Sequence, residues 1–263
     1  MIDFVQINKF GNLHNDDTII FCKTDYILQE FHNLYHRTKP LIFISGNSDY
    51  TINDSIVQQK PKCIVKWFAQ NYIGEPNDIV EPIPLGIENS FAAHRSGHTD
   101  ALFTAKANQQ IELLSKNYTH EPTRFAYVNF RNWTNPRHRQ LVKEKCKLYD
   151  YFTMQSEVDF PTFISDILDH QCVVCAQGND LGDNLRVYET LYLNRIPITF
   201  NPYLQMHKYL PHILITDLAQ LADWEWLEEQ RCTAYERAVG NWEEMLTASY
   251  WISRIKEFEK AIK

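Results

Sequence analysis

The sequence predicts an α/β chain built as two Rossmann-like domains that face a cleft. Three observations lead there. Short apolar runs alternate with helical segments, the pattern of parallel strands covered by helices. The alternation occurs twice, and a polar stretch over residues 90–122 with no convincing strand separates the two series. The runs empty into loops rich in Gly, Asn, Ser and Asp, and in parallel sheets the loops beyond the carboxyl ends of strands carry the ligand. The plain alternative for these loops is turn chemistry, because the same residues populate turns anyway.

In the first series, residues 18–22 (TIIFC) make a strand, and a helix over 26–35 follows with Ile27, Leu28, Phe31, Leu34 and Tyr35 as its apolar positions. Residues 41–45 (LIFIS) are the second strand, opening into Gly46-Asn47-Ser48-Asp49-Tyr50. Residues 63–68 (CIVKWF) end at Ala69-Gln70-Asn71, and 80–85 lead into Gly86-Ile87-Glu88-Asn89. The second series opens with 125–130 (FAYVNF), then Arg131 and a helix carrying Arg137, His138 and Arg139. Residues 159–169 read as a capped amphipathic helix with Phe163, Ile164, Ile167 and Leu168 inside. A strand at 173–175, a glycine-bearing loop, a helix capped by Asp183 and running to about 193, and strands at 196–200 and 212–216 complete the set. From 218 onward the pattern is helical, and Trp242, Met245, Leu246, Ser249 and Ile252 keep helical spacing. Arg254, Lys256, Lys260 and Lys263 would suit a membrane-surface helix, but Glu243, Glu244, Glu257 and Glu259 dilute that charge, so packing is expected. The resulting division is 1–118, 119–240 and a closing helix over 241–263.

The 263 residues, 44% of them hydrophobic, suffice for two cores of this size. A net charge of −7 argues against non-specific coating of nucleic acid, which depends on many phosphate-neutralising Lys and Arg. The opening residues lack the basic, apolar and cleavage regions of a signal, and no apolar run approaches the roughly 20 residues of a membrane span, so a cytoplasmic protein is expected. Six cysteines in apolar or helical contexts do not form a disulfide framework, and Cys172 and Cys175, three apart along a strand, point to opposite faces. No HExxH or similar ligand spacing occurs among the ten histidines, so no metal is expected.

The richest segment is 172–200, CVVCAQGNDLGDNLRVYETLYLNRIPITF. A glycine loop before a helix start exposes N–H groups and the positive end of the helix dipole, which attract anions. Arg186 and Glu189 lie three apart and share a helix face. A guanidinium can hold a diphosphate, and a carboxylate can accept from the two hydroxyls of a ribose, so the pair fits a nucleotide-sugar site. An ordinary surface helix with an Arg–Glu pair worth about 0.2–0.5 kcal/mol is the bland reading.

The same segment resembles the C-terminal signature of exostosin-like glycosyltransferases, GNG…D.HR.WEAL..G.IPI. Gly178, Asn179, Arg186, Glu189, Leu191, Ile196, Pro197 and Ile198 match it. Asp180, Asn184-Leu185, Tyr188 and Asn194 depart from it, Leu185 standing where histidine is common. NFRNWTNPR resembles a second segment of these enzymes, and SGNSD, KWFAQN and PIPLGIENS resemble their N-terminal half. The resemblance implies a GT-B fold whose terminal helix crosses back to the first domain. It also implies an N-terminal acceptor domain and a C-terminal donor domain, with Gly178, Asn179, Arg186, Glu189 and Arg131 binding the donor.

Sugar transfer also needs a base for the acceptor hydroxyl, and the strand-end carboxylates Asp49, first, and Glu88, second, are the candidates. Retaining enzymes of this architecture commonly carry two glutamates eight positions apart, but Leu181 stands eight before Glu189, so inversion is expected. The expected activity is therefore an inverting, metal-independent transfer from a nucleotide sugar to a glycan or glycoconjugate, with no cofactor beyond the donor. The alternatives are transfer to hydroxymethylated bases in DNA, which the cluster Arg137-His138-Arg139 would permit, and a non-catalytic nucleotide-sugar-binding module. A dinucleotide-dependent oxidoreductase is disfavoured, because no GxGxxG follows the early strands. Tyr127, Trp133, Phe152 and Tyr203 are candidates for stacking on a base or sugar.

Overall fold

In a computed structural model, described over residues 3–90, 101–179 and 181–263 with backbone alone for 101–106, the chain forms two units, each around its own parallel sheet. Residues 91–100 of the expected connection, and Asp180 of the glycine loop, lie outside the described residues. The first unit is Met1–Asn108 with Tyr203–Met206 and Glu243–Lys263, and the second is Gln109–Pro202 with His207–Trp242. The division thus falls within helix α3 (Ala101–Leu114), ahead of residue 118.

The first unit carries β1 (Ile19–Lys23), α1 (Ile27–Leu34), β2 (Leu41–Gly46), α2 (Asp54–Gln58), β3 (Ile64–Ala69) and β4 (Val80–Pro82). Its strands lie in the order β1-β2-β3-β4, all parallel. Every residue of β2 is buried, which is why the strand reads as an unbroken apolar run. Ile27, Phe31 and Leu34 form the buried stripe of α1, and Phe31 meets Phe43 and Trp67 at ring distances of 5.5 and 5.6 Å. An N-terminal segment lies alongside the chain after β4, with Ile87 N–H donating to Val5 (2.9 Å) and Ile7 N–H to Ile87 (3.1 Å). Gly86 makes this approach possible: its φ is +77°, and a β-carbon there would collide with the Val5 carbonyl.

The C-terminal residues build helix α8 (Ala248–Ile262) onto this same unit. Thr247 caps it, and Ala248 N–H donates to the Asp3 carbonyl at 2.8 Å. Trp251 and Ile255 are buried, and Phe258 meets Phe68 edge-on at 5.9 Å. Arg254 holds the Glu81 carboxylate, which also pairs with Lys66 at 3.0 Å. The helix thus buries Trp251 and Ile255, while its Arg254 pairs with Glu81 on β4.

The second unit contains β5 (Arg124–Val128), α4 (Pro136–Cys146), β6 (Phe152–Met154), α5 (Phe160–Leu168), β7 (His170–Val174), α6 (Leu185–Tyr192), β8 (Ile196–Thr199), β9 (Ile213–Leu214) and α7 (Trp224–Arg237). The sheet order is β6-β5-β7-β8-β9, again all parallel. From β5 the chain passes to one side, through α4 to β6, then returns to the other side through α5 to β7. The order therefore reverses between β5 and β7, and the loops leaving these two strands diverge. In open parallel sheets that divergence is where ligands bind. Asp159 caps α5 through the Thr162 N–H, 2.8 Å away. β6, only three residues long, has no counterpart among the predicted strands, yet it creates the reversal.

Candidate functional site

Two loops frame the reversal in the second unit: 129–135 after β5 and 175–184 after β7. Arg139, on the first turn of α4, ties them together. Its Nε donates to the Gln177 carbonyl at 2.8 Å and its Nη1 to the Arg131 carbonyl at 2.6 Å. Asn135, left-handed at φ 46°, and Pro136 at the helix start turn the chain so that α4 begins at this loop. The remaining amine, Nη2, faces Gly178: a β-carbon built on that glycine would lie 3.9 Å from it. Burial, then the nearby charge of Arg186, lowers the Arg139 pKa to about 10.

Arg186 stands on the first turn of α6, whose other face, Val187, Tyr188, Thr190 and Leu191, is buried. Its guanidinium lies over the Phe163 ring at 4.7 Å. Its Nε and Nη1 are buried and donate no hydrogen bond among the described residues. Its charge is felt at Arg139, at Tyr127 on β5 and at Cys175 beyond β7, so it sits at the reversal. Arg186 thus acts on the Arg139 guanidinium, and its own inner donors have no acceptor among the described residues. Buried donors without acceptors are uncommon and costly, so this arrangement suits an anion that arrives with its own oxygens.

Glu189 shares the helix with Arg186 but turns into the core. It is 6% exposed, and its Oε1 accepts a hydrogen bond from Gln110 Nε2. The helix start also differs from expectation. Asn184, not Asp183, is the N-cap residue, and its side chain makes no capping bond. Asp183 instead receives Asn184 N–H (2.8 Å) and His207 Nε2 (2.8 Å) on Oδ1, and Tyr188 O–H (2.5 Å) on Oδ2.

Among the residues singled out from sequence, Gly178 and Arg186 lie at the reversal, and Asn179 is exposed on the same loop. Arg131 lies at the rim. Its guanidinium is held in a two-pronged pair with Glu157 at 2.7 Å and rests on the Trp133 ring at 4.6 Å. Tyr127 and Phe152 are buried core residues and offer no stacking face, whereas Trp133 and Tyr203 are exposed. Of the cluster Arg137-His138-Arg139, only Arg137 is exposed, because His138 packs against Phe200 and Arg139 turns into the loops. Sequence reasoning gave Arg139 only a place in the 137–139 cluster, took Phe163 for a core position of its helix and passed over His207.

The two candidate bases belong to the first unit. Asp49 is exposed in the loop after β2, and Glu88 is half-buried with its Oε1 accepting the Asn89 N–H at 3.0 Å. Gln70 fastens this edge: it accepts from Asn47 N–H (2.9 Å) and donates to the carbonyls of Ile7 (3.0 Å) and Pro84 (3.3 Å). Among the described residues, no group of three His, Cys, Asp or Glu side chains is placed to hold a metal, and no helix is long and apolar enough to cross a membrane.

No family model matches the chain, and no curated protein matches it. Among solved structures, it is similar to the DNA modifying enzyme beta-glucosyltransferase, whose structure was determined in the presence and absence of the substrate uridine diphosphoglucose. The identity is 10%, the TM-score 0.38, and the match covers 94% of this chain and 82% of that chain.

Proposed function

We propose that this protein is a glycosyltransferase that moves a sugar from a nucleotide-sugar donor to an acceptor hydroxyl, with Arg186 and Arg139 gripping the donor diphosphate. The observation that carries the reading is the Arg186 guanidinium, whose Nε and Nη1 are buried without an acceptor among the described residues, near a second arginine. As the bond between the anomeric carbon and the phosphate oxygen breaks, its electron pair passes to the diphosphate. The acceptor oxygen bonds to that carbon, and its proton goes to a carboxylate. Charge therefore grows on the leaving group, where fixed positive groups stabilise the transition state more than the bound donor.

The base is assigned to Asp49, with Glu88 tested beside it. Leu181 stands eight residues before Glu189, so no second carboxylate occupies that spacing, which supports direct displacement with inversion. A glycan or glycoconjugate acceptor is favoured over DNA by the net charge of −7 and by the single exposed cation in the cluster at 137–139.

The test is a thermal-shift screen of nucleoside diphosphates and nucleotide sugars, followed by measurement of diphosphate release with glycan acceptors and with hydroxymethylated duplex DNA. A ligand at about 100 times its dissociation constant should add about 2.7 kcal/mol of stability. Stabilisation without turnover on any acceptor would favour a binding module. Absence of stabilisation by every nucleotide would refute the donor site.

A further inference from the structure

The geometry points to His207 as a positioning residue that keeps the Asp183 carboxylate engaged and so leaves Arg186 available to an anion; this rests on the diphosphate site proposed above. Asp183 ends the loop after β7 and precedes Arg186 by three residues. Its side chain is 3% exposed, and that of His207 is 6% exposed. A buried carboxylate needs donors, and here His207 Nε2, Tyr188 O–H and Asn184 N–H supply them. His207 Nδ1 is buried and has no partner among the described residues, so the imidazole's hydrogen bonding among them goes to Asp183 through Nε2.

Asp183 immediately precedes the Asn184 N-cap and Arg186 is the second residue of α6, so carboxylate and guanidinium belong to the same helix end. Without the imidazole, the carboxylate keeps the Tyr188 and Asn184 donors but loses a third, and a guanidinium that replaced it would no longer bind phosphate oxygens. The helix start makes the position sensitive. Asn184 provides no side-chain cap, and Tyr188 reaches back from the first turn to Asp183, so this carboxylate also sets how α6, and Arg186 with it, enters the site.

Inorganic pyrophosphate, titrated calorimetrically, is the probe. His207→Leu should weaken its binding about tenfold, and His207→Gln, which keeps an N–H donor, should stay within about twofold of the unaltered protein. In an Arg186→Met background, His207→Leu should have no further effect, because the group it protects is gone. Tyr188→Phe, which removes a single hydroxyl, should give a smaller loss with the same coupling, and it serves if His207→Leu does not fold. A lowered melting temperature with unchanged pyrophosphate affinity would overturn the inference, as would losses that add fully to that of Arg186→Met. If Arg186→Met itself leaves pyrophosphate binding intact, the diphosphate site fails first and this inference with it.

Discussion

Replacing Arg186 by methionine should move two measurements in different ways. Nε and Nη1 are buried with no acceptor among the described residues, so phosphate oxygens brought against the guanidinium would supply what both lack. Hydrogen bonds to charged groups are worth about 1.5–3 kcal/mol each, and two of them give about 3–6 kcal/mol. Arg139 remains beside the vacated position and recovers part of this. A loss of about 3–4 kcal/mol, or two to three orders of magnitude in affinity, is expected for a nucleoside diphosphate. Stability without ligand should change little. The variant loses the contact over Phe163, worth about 0.5–2 kcal/mol, but it also sheds a partly desolvated charge next to a like charge. The two effects oppose each other, leaving the variant within about 1 kcal/mol of the original. Isothermal calorimetry and urea unfolding of the ligand-free protein measure the two quantities. A variant destabilised by several kcal/mol whose nucleotide affinity is unchanged would show that Arg186 is a structural cation, and the reasoning would be refuted.

Arg139→Lys should not be conservative, because one ammonium does not reproduce the fork that joins the Gln177 and Arg131 carbonyls; about 1–2 kcal/mol of stability and about tenfold in nucleotide affinity should be lost, read by urea unfolding and calorimetry. Glu81→Gln should cost about 2–3 kcal/mol, below the full value for a buried pair because the partners are not fully enclosed, and Arg254→Ala should cost less, its side chain being 39% exposed. Chemical denaturation of the two variants ranks them, and the reverse order would show that Arg254 matters more than Lys66. Burial, then the charge of His207, brings the His212 pKa down to about 4, so the unfolded chain takes up a proton that the folded one resists. That stabilising contribution is full above about pH 6.5 and is lost as pH falls toward 4, by an amount on the order of 3 kcal/mol. His212→Gln should reduce the stability difference between about pH 7 and about pH 5, and an unchanged difference would assign it to other groups.

Much of the sheet was legible because strands buried on both faces leave apolar runs: β2 is buried at all its residues and was visible as LIFIS. β6 was not. Three residues at a sheet edge carry too little pattern, and the strand is recognisable only by its pairing with β5. Arg186 was legible from its spacing to Glu189 after a glycine loop. The partner of Glu189 was not, since Gln110 lies in the connection between the two series and its hydrogen bond spans 79 positions. Arg131 and Arg139 show the same limit. Both are arginines in the stretch that follows β5, but Glu157 neutralises one while the other points into two loops, and only three-dimensional placement distinguishes them.

Because Glu243–Lys263 belongs to the first unit, the order of synthesis and the order of completion differ. A ribosome delivers Gln109–Trp242 before it supplies the helix that covers Phe68 and engages Glu81. The nascent chain therefore carries an unfinished N-terminal unit through the making of the other, with an apolar flank open to chaperones or to mispairing. A stop codon just ahead of residue 243 would act at a distance, injuring the part of the molecule translated first.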